Sequence, residues 1–135
     1  LDGVRYYNDS IGTSPTRTQA CLHSFEQKLV LIAGGYDKKI PFEVLGKEVQ
    51  DHVKTLVLTG HTAEKIQKAV VESEGYQAGH PSILMEPDFK QAVLKASKAA
   101  EEGDVVILSP ACASFDHFKN FAQRGQTFKA IVNEL

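Results

Sequence analysis

A chain of 135 residues, 42% apolar and 24% charged, can close one domain around its own core and has the make-up of an ordinary globular protein. A formal net charge of −2 gives no electrostatic reason to expect nucleic acid or an anionic membrane, and no run of five or six basic residues marks a binding tail. The two cysteines, Cys21 and Cys112, form neither a CxxC nor a Cys/His zinc spacing, so neither a disulfide framework nor a metal site is expected, and free thiols suit a reducing cytosol.

No apolar stretch approaches the roughly eighteen residues that span a bilayer, and no basic-then-apolar leader opens the chain. The only methionine is Met85, so the expectation is a domain cut from a longer protein.

In chain order, the opening "LDGVRYYNDS" is followed by "NDSIGTSP", which crowds Asn8, Asp9, Ser10 and Thr13 before a helix predicted from Thr16 to Phe25. "KLVLIAGG" (Lys28 to Gly35) is a strand-length apolar run ending in glycine, followed by a helix over Phe42 to Val53. "KTLVLTG" (Lys54 to Gly60) is a second such run. "HTAEKIQKAVVESEG" then sets Ile66, Ala69, Val70 and Ser73 on one stripe, closed by Gly75.

"PSILME" (Pro81 to Glu86) is a third run. The segment "EPDFKQAVLKASKAAEEG" follows, with Pro87 as first helical residue, Phe89, Ala92, Val93, Ala96 and Ala100 on one face, and Gly103 as C-cap. "DVVILSP" (Asp104 to Pro110) is the fourth run, and the terminal "FKAIVNEL" aligns Phe128, Ile131, Val132 and Leu135 on a helix face. Continuous rather than alternating apolarity marks strands buried on both faces. Four of them alternating with helices predict a single α/β domain with a mostly parallel sheet covered by helices.

In such sheets ligands bind beyond the carboxyl ends of the strands. Three strand ends carry unusual residues. In "GGYDKK", Gly34 and Gly35 allow close backbone approach or positive φ and Lys38 supplies a cation; equally, this is a turn with solvated lysines, and it is no Walker A loop. In "TGHTAEK", Thr59, His61 and Thr62 read foremost as capping residues beside an exposed histidine. In "SPACASFDHFKNFAQRG" (Ser109 to Gly125), small residues precede Ser114, an N-cap whose helix start offers free N–H groups to a carboxylate or phosphate. The competing reading is a capped helix with Phe115, Phe118 and Phe121 as core, which is preferred for Phe118.

"YYNDS", "AGGYDKK" and "LSPACASFDHFKNFAQRGQTF" together resemble, in order and spacing, the C-terminal domain of the Mur ligases, within them the D-glutamate-adding branch. The resemblance covers essentially the whole chain. It implies a Rossmann-like domain (residues 16–135) preceded by a linker from a central ATPase domain (residues 1–15), in a cytoplasmic enzyme of peptidoglycan synthesis. That enzyme is an ATP-dependent amide-forming ligase. It phosphorylates the alanine carboxylate of UDP-N-acetylmuramoyl-L-alanine, and the amine of D-glutamate attacks the acyl phosphate.

Carried over by position, the resemblance assigns Thr13, Lys38, Ser114, Phe121 and the backbone at Phe115 to D-glutamate, and Asp9 to ATP. Lys119 and Arg124 are secondary supports of the anion field. It places ATP and magnesium mainly in the central domain, leaves no catalytic residue or metal ligand in this one, and so implies an inactive isolated domain. The chain departs from the family pattern at Ile11, where a lysine is common, which puts more of the charge on Lys38. The alternatives are another Mur ligase, a folate-polyglutamate synthetase relative, or a non-catalytic nucleotide- or amino-acid-binding module.

Overall fold

The computed structural model describes residues 4–8, 15–25, 27–34, 43–60, 62–76, 82–109 and 121–134. Ten elements alternate along them: β1 (Arg5–Asn8), α1 (Pro15–Leu22), β2 (Leu29–Ala33), α2 (Glu43–His52), β3 (Val53–Leu58), α3 (Ala63–Val71), β4 (Ser82–Met85), α4 (Phe89–Ala99), β5 (Val105–Leu108) and α5 (Phe121–Asn133). The strands form one sheet in the order β1-β5-β2-β3-β4. Every pairing is parallel, with Tyr6 beside Val106, Val30 beside Val106, Leu31 beside Leu56, and Val57 beside Leu84.

The apolar runs are continuous because both faces of the sheet are covered. Leu29, Leu31, Leu56, Leu58 and Ile107 pack on one face with Leu22, Val49, Ile66 and Val70 from α1, α2 and α3. Val30, Ile32, Val57, Val106 and Leu108 pack on the other with Phe89, Val93, Phe128 and Ile131 from α4 and α5. Crossover handedness accounts for this division. The steps β1 to β2, β2 to β3 and β3 to β4 run one way across the sheet, and β4 to β5 runs back. Right-handed connections therefore put α1, α2 and α3 on one side and α4 on the other.

The structure differs from the sequence reading at several ends. A fifth strand, β1, lies within the segment read as linker. Its Val4 neighbour is buried, Tyr6 Oη donates to Ser97 Oγ at 3.1 Å, and the Tyr6 ring lies 6.5 Å from that of Phe128. Pro87 is not the first residue of α4, because Asp88 takes the N-cap and accepts from the Gln91 amide at 3.0 Å. Gly103 does not cap that helix either. The helix ends at Ala99 with extended Ala100 as C-cap, and Gly103 turns the chain into β5.

Candidate ligand-binding site at the carboxyl ends of the strands

In an all-parallel sheet every strand delivers its following loop to the same edge. The loops after β1 and β2 feed α1 and α2 on one face, whereas the loop after β5, which lies between those strands, feeds α5 on the other. Neighbouring loops that diverge to opposite faces open a crevice at a topological switch point. Here β5 has such a divergence on both sides.

All six residues assigned to ligands come from these three adjacent strands. Asp9 and Thr13 follow β1, Lys38 follows β2, and Ser114, Phe115 and Phe121 follow β5. Phe121 is the first residue of α5. Asp9, Thr13, Lys38, Ser114 and Phe115 lie outside the described residues, as do Ile11, Gly35, His61, Pro110 to Lys119 and the proposed N-cap geometry at Ser114.

The strand ends that carry those loops are tightly fixed. Ser109, directly after β5, donates its amide to the Ile32 carbonyl at 3.2 Å. The Thr18 hydroxyl of α1 donates to the Ser109 carbonyl at 3.2 Å, and Ser109 Oγ donates to Thr18 Oγ1 at 3.1 Å, with both residues wholly buried. This couple locks the start of α1 to the exit of β5, so the loops after β1 and β5 leave from a common rigid base. The sequence reading missed it. Its signal is Thr18 four residues before Leu22, which puts a polar residue on the buried stripe of α1.

Gly34 ends β2 with φ +120°, and a Cβ there would lie 1.8 Å from the Thr59 carbonyl oxygen. What approaches Gly34 is therefore the neighbouring strand end of the same chain. Thr59 in turn donates its amide to the Ala33 carbonyl at 3.0 Å and its hydroxyl to the Pro87 carbonyl at 3.1 Å. Neither Thr59 nor Thr62 is a side-chain cap. Thr62 holds the N-cap position of α3 without a capping side-chain bond.

On the other flank, Asn8 ends β1 with its amide group against Gly125 of α5, where a Cβ would meet Nδ2 at 2.7 Å. Arg124, one residue earlier, is 2% exposed, so a guanidinium is buried in the helix that continues from the β5 loop. No helix among the described residues is long and apolar enough to cross a membrane.

Comparison with known proteins bears on the same residues. The family model described as "Mur ligase, glutamate ligase domain" matches residues 1–112. The UDP-N-acetylmuramoylalanine--D-glutamate ligase of Clostridium novyi (strain NT) is 53% identical over all of this chain. The corresponding ligase of Acetivibrio thermocellus is 54% identical over a 138-residue alignment that also takes in the whole chain. The chain spans 30% and 29% of these relatives' length.

Among solved structures, a UDP-N-acetylmuramoyl-L-alanyl-D-glutamate--2,6-diaminopimelate ligase superposes with a TM-score of 0.63 at 13% identity, covering 99% of this chain and 30% of that one. A crystallised domain from Haemophilus ducreyi 35000HP gives 0.62 at 11%, covering 100% and 90%. At such identities the superpositions speak for the fold. The family match runs from β1 through β5 and so contains β1, β2 and β5, the three neighbouring strands at the switch point. With relatives above half identity over its full length, the chain belongs to the Mur ligase glutamate ligase domain family.

Proposed function

We propose that this chain is the amino-acid-binding domain of an ATP-dependent ligase that adds D-glutamate to UDP-N-acetylmuramoyl-L-alanine in the cytoplasm. One observation carries the reading: the segments bearing Asp9, Thr13, Lys38, Ser114 and Phe121 all leave from β1, β2 and β5, the three adjacent strands around the switch point. In this strand order the ends of strands far apart in sequence lie side by side, which supports one shared site for the segments that follow them.

The roles follow from side-chain chemistry. Lys38 supplies a point charge for a carboxylate. Ser114, Thr13 and the amide at Phe115 donate neutral hydrogen bonds, and Phe121 packs beside the carbon skeleton. Asp9 accepts a hydrogen bond from the nucleotide. Residues 1–15 make the connection to the ATPase domain while contributing β1 to this one. The chain has no GxxxxGK[ST] loop. The described residues group His, Cys, Asp or Glu side chains closely enough for a metal only at the opposite end of the sheet, with two imidazoles that suit magnesium poorly. The resemblance puts ATP and magnesium mainly in the rest of the enzyme, and this domain's work is to bind D-glutamate and present its amine.

The test is Lys38→Ala in the full-length enzyme. Loss of a charge-assisted contact should cost about 2 to 4 kcal/mol, or roughly thirty- to thousandfold in kcat/KM. The defect should appear against D-glutamate concentration, with KM for the uridine nucleotide nearly unchanged. An unaltered dependence on D-glutamate would make Lys38 a solvated surface charge and remove the amino-acid site from this crevice.

A further inference from the structure

At the end of the sheet remote from the crevice, α1 and α2 run out side by side before β2 and β3 begin. His23 follows α1, and Glu48 and His52 lie one turn apart on α2. His23 Nε2 is 2.6 Å and His52 Nε2 is 3.5 Å from Glu48 Oε2. One ligand atom from each of the three residues lies within 4.8 Å of the others. The two imidazole rings are 4.8 Å apart and tilted by 54°.

Gln19 Nε2 donates to Glu48 Oε1 at 3.1 Å, which turns the other carboxylate oxygen toward both imidazoles. That oxygen, Oε2, is itself buried, and the Nε2 atoms of His23 and His52 are its close polar neighbours. A buried carboxylate oxygen faced by two imidazole nitrogens gathers three donor atoms that can share a metal ion in place of a proton.

We propose that His23, Glu48 and His52 form a binding site for a zinc-like divalent transition-metal ion, with a fourth coordination position open to solvent. Two imidazoles and one carboxylate are a zinc-type donor set, and imidazole disfavours magnesium and calcium. Bond lengths near 2.0 to 2.1 Å in a tetrahedral site put ligand atoms roughly 3.3 Å apart. The cluster reaches that spacing by opening the His23 contact and drawing the other atoms in. His23 is the ligand free to move, with its side chain 55% exposed, and its exposure leaves the fourth position to water. Gln19 is a positioning residue that holds the carboxylate by its other oxygen, Oε1. The ion joins the ends of α1 and α2, far from the loops after β1, β2 and β5, and so stabilises the fold without entering the ligase chemistry. Binding takes both imidazoles neutral, and any proton they carry leaves to solvent.

The experiment titrates the metal-free 135-residue chain with zinc chloride alone by calorimetry, follows Tm in parallel, and uses cobalt(II) as a visible-absorption probe. The expected result is one zinc per chain with Kd of about 10 μM or tighter, a rise in Tm, and a cobalt d–d band, with magnesium chloride producing none of these. His23→Ala and His52→Ala should each weaken zinc binding by at least about a hundredfold and abolish the band, and Gln19→Ala by about tenfold. His23→Gln, at the exposed position, serves if either alanine variant folds poorly. Zinc binding weaker than about 1 mM, full binding retained by the histidine variants, or equal stabilisation by magnesium would overturn the site. None of these results bears on Lys38, so this inference and the proposed function fail separately.

Discussion

At Gly34 the backbone itself dictates the residue. Its φ of +120° is open to glycine, and a methyl group at 1.8 Å from the Thr59 carbonyl has nowhere to go, because the obstacle is a neighbouring strand's main chain. Gly34→Ala should therefore cost at least about 3 kcal/mol, read as a lowered urea midpoint at unchanged m-value. A loss under about 1 kcal/mol would mean that the β2–β3 junction relaxes easily and does not hold the Lys38 loop in place. The glycine pair was conspicuous in the sequence, but what presses on it was not, since Gly34 and Thr59 meet only once β2 and β3 are paired. The His23–Glu48–His52 cluster was hidden for the same reason. Only its Glu48–His52 half has a sequence signature, an acid four residues before a histidine on one helix.

At the scale of elements, the Thr18–Ser109 couple is the joint between α1 and β5. Thr18→Val keeps the side-chain shape while removing the donor to the Ser109 carbonyl and the acceptor for Ser109 Oγ, both fully buried. It should cost about 1 to 3 kcal/mol in urea unfolding, and Thr18→Ser should recover most of the hydrogen-bond share. If valine were as stable as threonine, the joint would be packing alone. Four of the five strands were legible because Leu29–Ala33, Val53–Leu58, Ser82–Met85 and Val105–Leu108 are short apolar runs with turn residues beyond them. β1 was not, because "RYYN" pairs on one edge only and keeps much of its surface exposed, so it carries no apolar run. The helix faces were read correctly at Phe89, Ala92, Val93, Ala96, Ile66, Val70, Phe128 and Ile131, all buried. Helix ends were less legible: Asp88 outcompetes Pro87 by accepting an amide hydrogen bond that proline's position offers no means to make.

For the whole molecule, strand order is the property that no local pattern contains. β5 is the last strand in sequence yet lies between the first two, and this insertion sets the carboxyl ends of β1, β5 and β2 side by side. The loop segments stood out by composition, but which strands they follow side by side depends on pairings across the length of the chain. The same insertion makes β1 structural as well as connecting. Its four residues pair with Val105–Leu108, Val4 is buried beside it, and Tyr6 is bonded to Ser97 of α4 and packed on Phe128 of α5. A chain starting at residue 9 should therefore lose the Val4 and Tyr6 packing and a parallel ladder, and expose the edge of β5. The apolar burial and hydrogen bonds lost amount to on the order of 5 kcal/mol, a large part of the roughly 5 to 15 kcal/mol that holds a domain folded. The shortened chain should unfold at a much lower urea concentration and tend to associate through the bared strand. Equal midpoints for the two chains would show that β1 is a removable extension, and that the segment bearing Asp9 and Thr13 has no need of an anchor in the sheet.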